Sequence, residues 1–328
     1  MKIFITGATG FIGKYLVKRL AKTSHEQVCL VRKTSNTVEL QNHKAQLVYG
    51  DVTDRKSLLE GMKGCDWVIN LANIYSMWEP DNSIFERVNI EGTRHVMECA
   101  LETGIAKVAH VSTSAIWGRP ATVPFTEETP VGPKRANNYA RTKYEGDLIA
   151  LDLYKNKGLP LVMIYPAAVL GIGDNKSTGK YILDLLNRRM PALAFPDTIL
   201  TYVHVQDVAD AILMILEKKN NIGEKYLIGN ERLSISEINK IVSSLSGVAL
   251  PKLCLPGPLV KVNALLLTAI SRLTKWPPLW NMSTDQVGQM VLGIECDGGK
   301  YQREFDITYT PVRKAIEEFI EENRARPA

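Results

Sequence analysis

The sequence is short of every feature that would place it in a specialised class. Its 328 residues include five cysteines (Cys29, Cys65, Cys99, Cys254 and Cys296), an odd number with no C-x-x-C pair. Such spacing argues against a disulfide framework or a zinc site and fits a reducing compartment. The five histidines are scattered, so no metal site is expected. Charge of one sign is not in marked excess: 40 Lys and Arg face 35 Asp and Glu, a formal +5. That is too dispersed for a nucleic-acid-binding face. Long apolar runs are missing as well, since the longest, Ala264–Ile270, falls far short of the ~20 residues of a membrane span. Glycines follow Met1–Thr6 at once, where a signal peptide would place its apolar centre. No membrane span, no nucleic-acid partner and a cytoplasmic location are the expectations.

What is present is alternation. Short β-branched runs at Lys2–Thr6, Gln27–Val31, Gln46–Tyr49, Trp67–Leu71, Val108–Ser112 and Leu161–Tyr165 are separated by segments with helical apolar spacing, such as Ile12, Leu16 and Leu20. Strands apolar on both faces and joined by helices predict an α/β fold with a doubly wound parallel sheet. After Pro166 the glycine and proline punctuation thickens. A strand-like Leu200–Val205, a helix Asp207–Lys218 and a strand Lys225–Ile228 follow, and from Asn230 onward the pattern is mainly helical. The division expected is a large dinucleotide-type domain, 1–166 plus 203–229, and a smaller, mainly helical substrate domain, 167–202 plus 230–328.

The first strand runs straight into Gly7-Ala8-Thr9-Gly10-Phe11-Ile12-Gly13 and then a helix. A tight turn free of Cβ atoms lets backbone N–H groups approach a pyrophosphate, and the helix N-terminus adds its partial positive charge. Gly7, Thr9, Gly10, Phe11 and Ile12 are therefore the candidate cofactor contacts. Three spaced glycines alone are weak evidence, and the flanking strand and helix give them their context. The second strand ends Leu30-Val31-Arg32-Lys33, without the acid that would accept from an NAD ribose. Arg32 can fork onto a 2′-phosphate, which favours NADP(H) over NAD(H); the bland alternative is a pair of ordinary loop charges.

Tyr139-Ala140-Arg141-Thr142-Lys143 places a phenol and an ammonium four residues apart on one helix face. A neighbouring cation would lower the phenol pKa and make Tyr139 a usable acid/base, with Lys143 the perturber. The fifth strand ends Ser112-Thr113-Ser114, and a hydroxyl there would face the crevice in which doubly wound sheets bind ligands.

Taken together and in order, these motifs resemble the extended short-chain dehydrogenase/reductases of the NAD-dependent epimerase/dehydratase superfamily. The resemblance also rests on Gly50-Asp51-Val52-Thr53-Asp54, Asn89-Ile90-Glu91-Gly92-Thr93 and Tyr202-Val203-His204. The segments Ile74–Asp81 and Pro166–Asp174 are similar to the dihydroflavonol-reductase-like branch. The resemblance implies a Rossmann domain, Tyr139 as acid/base and Lys143 on the nicotinamide ribose. It places Asp51 and Val52 at the adenine, Leu71 and Ala72 at the middle of the cofactor, and Pro166 and Val169 near the nicotinamide. Counting back from Gly118, the catalytic hydroxyl falls on Thr113, with Ser114 the alternative. Asn89 would buttress the structure.

Departures narrow the implication. Sugar-nucleotide dehydratases carry an acidic pair where Ser114-Ala115 stands. Enzymes of nucleotide sugars usually show Asn at the position of Ala168 and Arg near Leu200. The leading expectation is an NADPH-dependent reductase of a ketone or aldehyde, working on a small carbonyl or alcohol substrate. Its pocket would include Tyr75, Met77, Trp78 and, in the alternative register, Ser114. The segment Leu259–Trp280 is apolar enough for a lipophilic substrate, or equally for helix core packing. An NAD-dependent nucleotide-sugar epimerase or dehydratase is the enzymatic alternative, and a regulator that has lost chemistry is a third reading. A homodimer is compatible with all of them.

Overall fold

Short β-branched segments pair side by side in the computed structural model, which describes residues 1–325. The last three positions of the expected second domain lie outside the described residues. In chain order the strands are β1 (Lys2–Thr6), β2 (Glu26–Val31), β3 (Gln46–Tyr49), β4 (Trp67–Asn70), β5 (Lys107–Val111), β6 (Leu161–Pro166), β7 (Ala168–Leu170), β8 (Leu193–Ala194), β9 (Ile199–His204), β10 (Lys225–Ile228), β11 (Glu231–Ser234) and β12 (Cys254–Leu255). Seven of them form one parallel sheet in the order β10-β6-β5-β4-β1-β2-β3. The order reverses between β1 and β4, and the crevice beyond their carboxyl ends is where ligands of such sheets bind.

This is the doubly wound sheet expected from the sequence, because strands buried on both faces leave helices as the only cover. β5 and β6 are buried along their whole length. Helix Phe11–Leu20 covers one face, tied to helix Val205–Glu217 by the Arg19–Asp210 ion pair at 2.6 Å. On the other face lie helices Gly92–Glu102 and Asn138–Lys157. The latter starts at an Asn137 cap, whose side chain accepts from the Ala140 N–H at 2.8 Å, and stops at Gly158 in the left-handed conformation.

A second, three-stranded sheet, β11-β9-β7, sits beyond the carboxyl end of β6. Its own core gathers Leu170 of β7 with Ile182, Ile238, Val242, Ile316 and Phe319 from helices Ser177–Leu186, Ile235–Ser246 and Val312–Ala325. The sequence pattern gives the helical character from Asn230 onward but passes over helix Ser177–Leu186 and over β7, β8, β11 and β12. Each of these strands is two to four residues long, too short for alternation to register, and each is made by its pairing partner.

Gly146 sets how closely the Tyr139 helix packs. A Cβ there would lie 2.6 Å from the Asn89 carbonyl oxygen, a backbone atom that cannot swing aside. Gly146→Ala is therefore expected to cost about 1–3 kcal/mol by overpacking, measured as a lower urea midpoint with an unchanged slope. Unaltered stability would show that the helix can back away freely.

Candidate functional site

A cavity of about 970 Å³ runs along the carboxyl edge of the sheet from the β1 loop to the Tyr139 helix. At one end β1 turns into the glycine loop. Gly7 has φ +73°, and a Cβ on it would meet the Leu71 and Ala72 backbone at 2.7 Å. A Cβ on Gly13 would lie 2.3 Å from the Gly7 carbonyl oxygen, so loop and helix approach in a way only glycine allows. Gly10 caps helix Phe11–Leu20 without a side-chain hydrogen bond, which leaves the first N–H groups facing the cavity. These are features a pyrophosphate-bearing cofactor fits.

Nearly all of the sequence candidates are brought together. Gly7, Thr9, Gly10, Phe11, Ile12, Arg32, Asp51, Val52, Leu71, Ala72, Tyr75, Thr113, Tyr139, Pro166 and Val169 line this one cavity. Three candidates do not. Lys143 is buried beneath the floor, where its Nζ donates to the Val111 carbonyl oxygen at 3.0 Å. Trp78 lines a neighbouring cavity of about 380 Å³ that it shares with Tyr75 and Met77. Ser114 turns inward, buried beside the Cys296 thiol. Thr113, by contrast, lines the cavity with Tyr139, and its hydroxyl acts to lower the phenol pKa. It also accepts from the Ala115 N–H at 3.2 Å, capping the turn after β5.

The electrostatics differ from the expectation of a phenol lowered by its lysine. Burial pushes the Tyr139 pKa well above the ordinary tyrosine value. The neighbouring Tyr75 adds to the rise, and the Thr113 hydroxyl only partly offsets it. The two tyrosine rings meet edge to face, with centroids 4.8 Å apart. Burial also lowers the Lys143 pKa, opposed by the Asp147 carboxylate. The physical reason is that Lys143 bonds a backbone carbonyl and sits near Asp147, so it is not directed at the phenol.

Asp147 ends a buried chain of polar groups that sequence reasoning missed. The Ala72 N–H donates to Thr6 Oγ1 at 3.2 Å, and Thr6 Oγ1 donates to Asn70 Oδ1 at 2.6 Å. Asn70 Nδ2 and His110 Nδ1 are 3.1 Å apart, and His110 Nε2 meets Asp147 Oδ1 at 3.1 Å. Ser112 Oγ donates to the other carboxylate oxygen at 2.7 Å. Every member has a partner when His110 is neutral with its proton on Nε2. Burial and the Lys143 charge favour that neutral state by lowering the His110 pKa. The chain links three strands to the Tyr139 helix.

Asn89 does buttress the site. It lies in a π-helical turn, Glu86–Glu91, and accepts from the Ile74 N–H at 2.7 Å while donating to Thr142 Oγ1 at 3.0 Å. The loop after β4 is thereby fastened to the Tyr139 helix. Later segments close the cavity: Ser283 Oγ donates to the Met77 carbonyl oxygen at 2.6 Å, and Asn137 Nδ2 to Gln289 Oε1 at 3.1 Å. Glu39, also missed, lines the cavity near Arg32 but is paired with Lys14 at 3.3 Å. The exposed Leu265, Leu266, Trp276 and Trp280 line neither cavity and are not core, whereas Val260 and Ala264 of the same segment pack with Val287 as core and Pro277 and Pro278 line the smaller cavity.

A family described as "NAD dependent epimerase/dehydratase family" matches residues 3–229, the stretch that holds the glycine loop, Tyr139 and Lys143. The chain belongs to that family. Within this epimerase/dehydratase family it is an enzyme of the extended short-chain dehydrogenase/reductase type, NAD(P)-dependent like its relatives. A protein of Synechocystis sp. that carries the provisional name dihydroflavonol 4-reductase is 29% identical, over 97% of this chain and 93% of its own length. Sterol demethylase protein B of Methylococcus capsulatus is 28% identical, over 98% and 97%. The crystal structure of gox2253 superposes with a TM-score of 0.84 at 31% identity, covering 98% of this chain and 97% of that one.

Removing Asp147 would strand the Ser112 and His110 donors. Asp147→Ala is expected to cost about 2–6 kcal/mol, at about 1–3 for each of the two unsatisfied buried groups, read by urea denaturation at pH 7. The lowered His110 pKa carries a sign as well. Below the ordinary histidine value of 6.5 the unfolded chain takes up a proton that the folded state refuses, so stability falls as pH drops. Imidazole NMR should show His110 still protonated on Nε2 alone at about pH 6; a doubly protonated ring there would refute the chain's polarity.

Proposed function

We propose that this protein is an NADPH-dependent reductase of a ketone or aldehyde carried by a lipophilic small molecule. The observation that carries the reading is the Tyr139 phenol, set beside the Thr113 hydroxyl on the wall of the same cavity that the glycine loop opens into. A nicotinamide cofactor fits that loop and, when bound, supplies the hydride. Tyr139 gives its proton to the carbonyl oxygen, and Thr113 orients that oxygen. The raised Tyr139 pKa suits this direction, since the phenol is held protonated and ready to donate. In this reading Lys143, held on the Val111 carbonyl oxygen rather than on the phenol, acts on the phenolate left behind through its buried charge and not through a direct hydrogen bond.

Arg32 supports NADP(H), because it faces the cavity at the end of β2, where Lys14 already neutralises Glu39. Near the reacting groups the walls are Tyr75, Met77, Ala168, Leu200 and Ile294. The Lys176 ammonium on the same lining is engaged by the Tyr75 carbonyl oxygen at 2.9 Å, and the apolar walls favour a lipophilic carbonyl over a nucleotide sugar. Two relatives are named for a dihydroflavonol and a sterol, in keeping with that choice. In this reading residues 1–166 and 203–229 hold the cofactor, and 167–202 with the segment from 230 onward shape the substrate side. The five cysteines, all free, suit a reducing cytoplasm.

The test is NADPH consumption across a panel of apolar ketones and aldehydes. Tyr139→Phe should lower kcat about 10²–10⁴-fold, the usual worth of a positioned acid. Thr113→Val should lower it too, Thr113→Ser should restore most of it, and Ser114→Ala should leave it near wild type. Arg32→Ala should weaken NADPH binding about tenfold, as expected for one charged hydrogen bond, and leave NADH unaffected. Preference for NADH with no carbonyl accepted would point instead to an epimerase or dehydratase using retained NAD.

A further inference from the structure

We propose that helix Gly257–Thr274 and the turn after it form a docking surface for an anionic phospholipid bilayer. The helix is amphipathic the wrong way round for a protein that faces only water. Its buried face is Val260, Ala264, Thr268 and Ser271, small or hydroxylated residues. Its outer face carries Leu259, Val262, Leu266 and Leu273, spaced three, four and seven apart on one side of the helix. Leu273 is 85% exposed, and the turn beyond it presents Trp276 at 76% and Trp280 at 64%. Of the 17 large apolar residues exposed among the described residues, ten fall between Leu253 and Trp280. An apolar patch of this continuity marks an interaction site.

Charge decides the occupant. From Ile238 to Thr284 the chain has no Asp or Glu but carries Lys240, Lys252, Lys261, Arg272 and Lys275. This one segment therefore accounts for the whole formal +5 of the molecule, and the rest is balanced. Lys261 and Arg272, three helical turns apart, share one flank of the apolar face, where their stems can lie along it and their heads reach headgroup phosphates. Exposed leucines for the acyl boundary, tryptophans for the interface and a cationic border are the requirements of a helix lying in a membrane surface. No described helix is long and apolar enough to cross the membrane, so the contact is one-sided. A second copy of this chain is a poorer occupant, because a two-fold interface would bring two net-cationic segments face to face, with Asp285 near Arg272 offsetting only part of the charge.

Pro277, Pro278 and Asn281 of the same turn line the smaller cavity, beside Trp78, Tyr75 and Met77. A docked molecule would hold that opening near the lipid. Delivery of substrate from the bilayer rests on the lipophilic-carbonyl reading, whereas docking itself does not.

The experiment is co-sedimentation of the full chain with vesicles of mixed phosphatidylglycerol and phosphatidylcholine, against vesicles of phosphatidylcholine alone, without substrate. Binding is expected on the anionic vesicles and should be about tenfold weaker on neutral ones or in high salt. The double variant Leu266→Glu/Leu273→Glu should lose binding by a similar factor, as should Trp276→Ala/Trp280→Ala. Both should keep the wild-type Tm, since these side chains touch solvent. Three results would overturn the proposal: no sedimentation with anionic vesicles, undiminished binding by the glutamate variant, or a dimer by light scattering that the same variant dissociates. Because no turnover is measured, these results are independent of whether a carbonyl is reduced.

Discussion

One buried carboxylate organises the chemistry-bearing half of this protein. Asp147 sits on the inner face of helix Asn138–Lys157, next to the Lys143 charge, and receives hydrogen bonds from Ser112 and His110. From His110 the chain of donors passes through Asn70 and Thr6 to the Ala72 N–H at the cavity wall. Buried charge is costly unless it is paired and every lone pair is used. Meeting that condition fixes the position of the helix against β1, β4 and β5. The residues that line the cavity from three strands are thereby held in one register with Tyr139.

The protonation states follow from the same burial. A neutral His110 keeps the chain's direction of donation, and burial keeps the Tyr139 phenol protonated. The cation meant to balance a phenolate is held below it by a backbone carbonyl. Around this floor the opposite walls of the two cavities are built from later, separate pieces. Ser283, Gln289 and Lys176 reach across to Met77, Asn137 and the Tyr75 carbonyl. Each is a single hydrogen bond between loops or helix ends, the kind of attachment that can change without disturbing the sheet.

The parallel sheet was legible because its strands are apolar on both faces and its helices keep their period, as β5 and helix Val205–Glu217 show. The glycine loop was legible because Gly7 and Gly13 have a local backbone reason to be glycine. The polar chain was not, since Thr6, Asn70, His110 and Asp147 lie up to 141 positions apart in sequence and only the strand order makes them neighbours. Ser114 misled for a related reason. It follows Thr113 directly, but the turn after β5 sends one hydroxyl to the cavity and the next toward Cys296. The leucines of helix Gly257–Thr274 misled in the opposite way: their apolarity reads as core or pocket, and only the fold shows that they face outward.

The most direct test of the account follows the hydride itself. NADPH deuterated at the transferring position would be incubated with an accepted ketone and the alcohol analysed by mass spectrometry. One deuterium on the carbinol carbon and one oxidised cofactor released per alcohol formed are expected. Unlabelled alcohol, or label returned to a retained cofactor while a sugar is epimerised, would contradict the reductase reading.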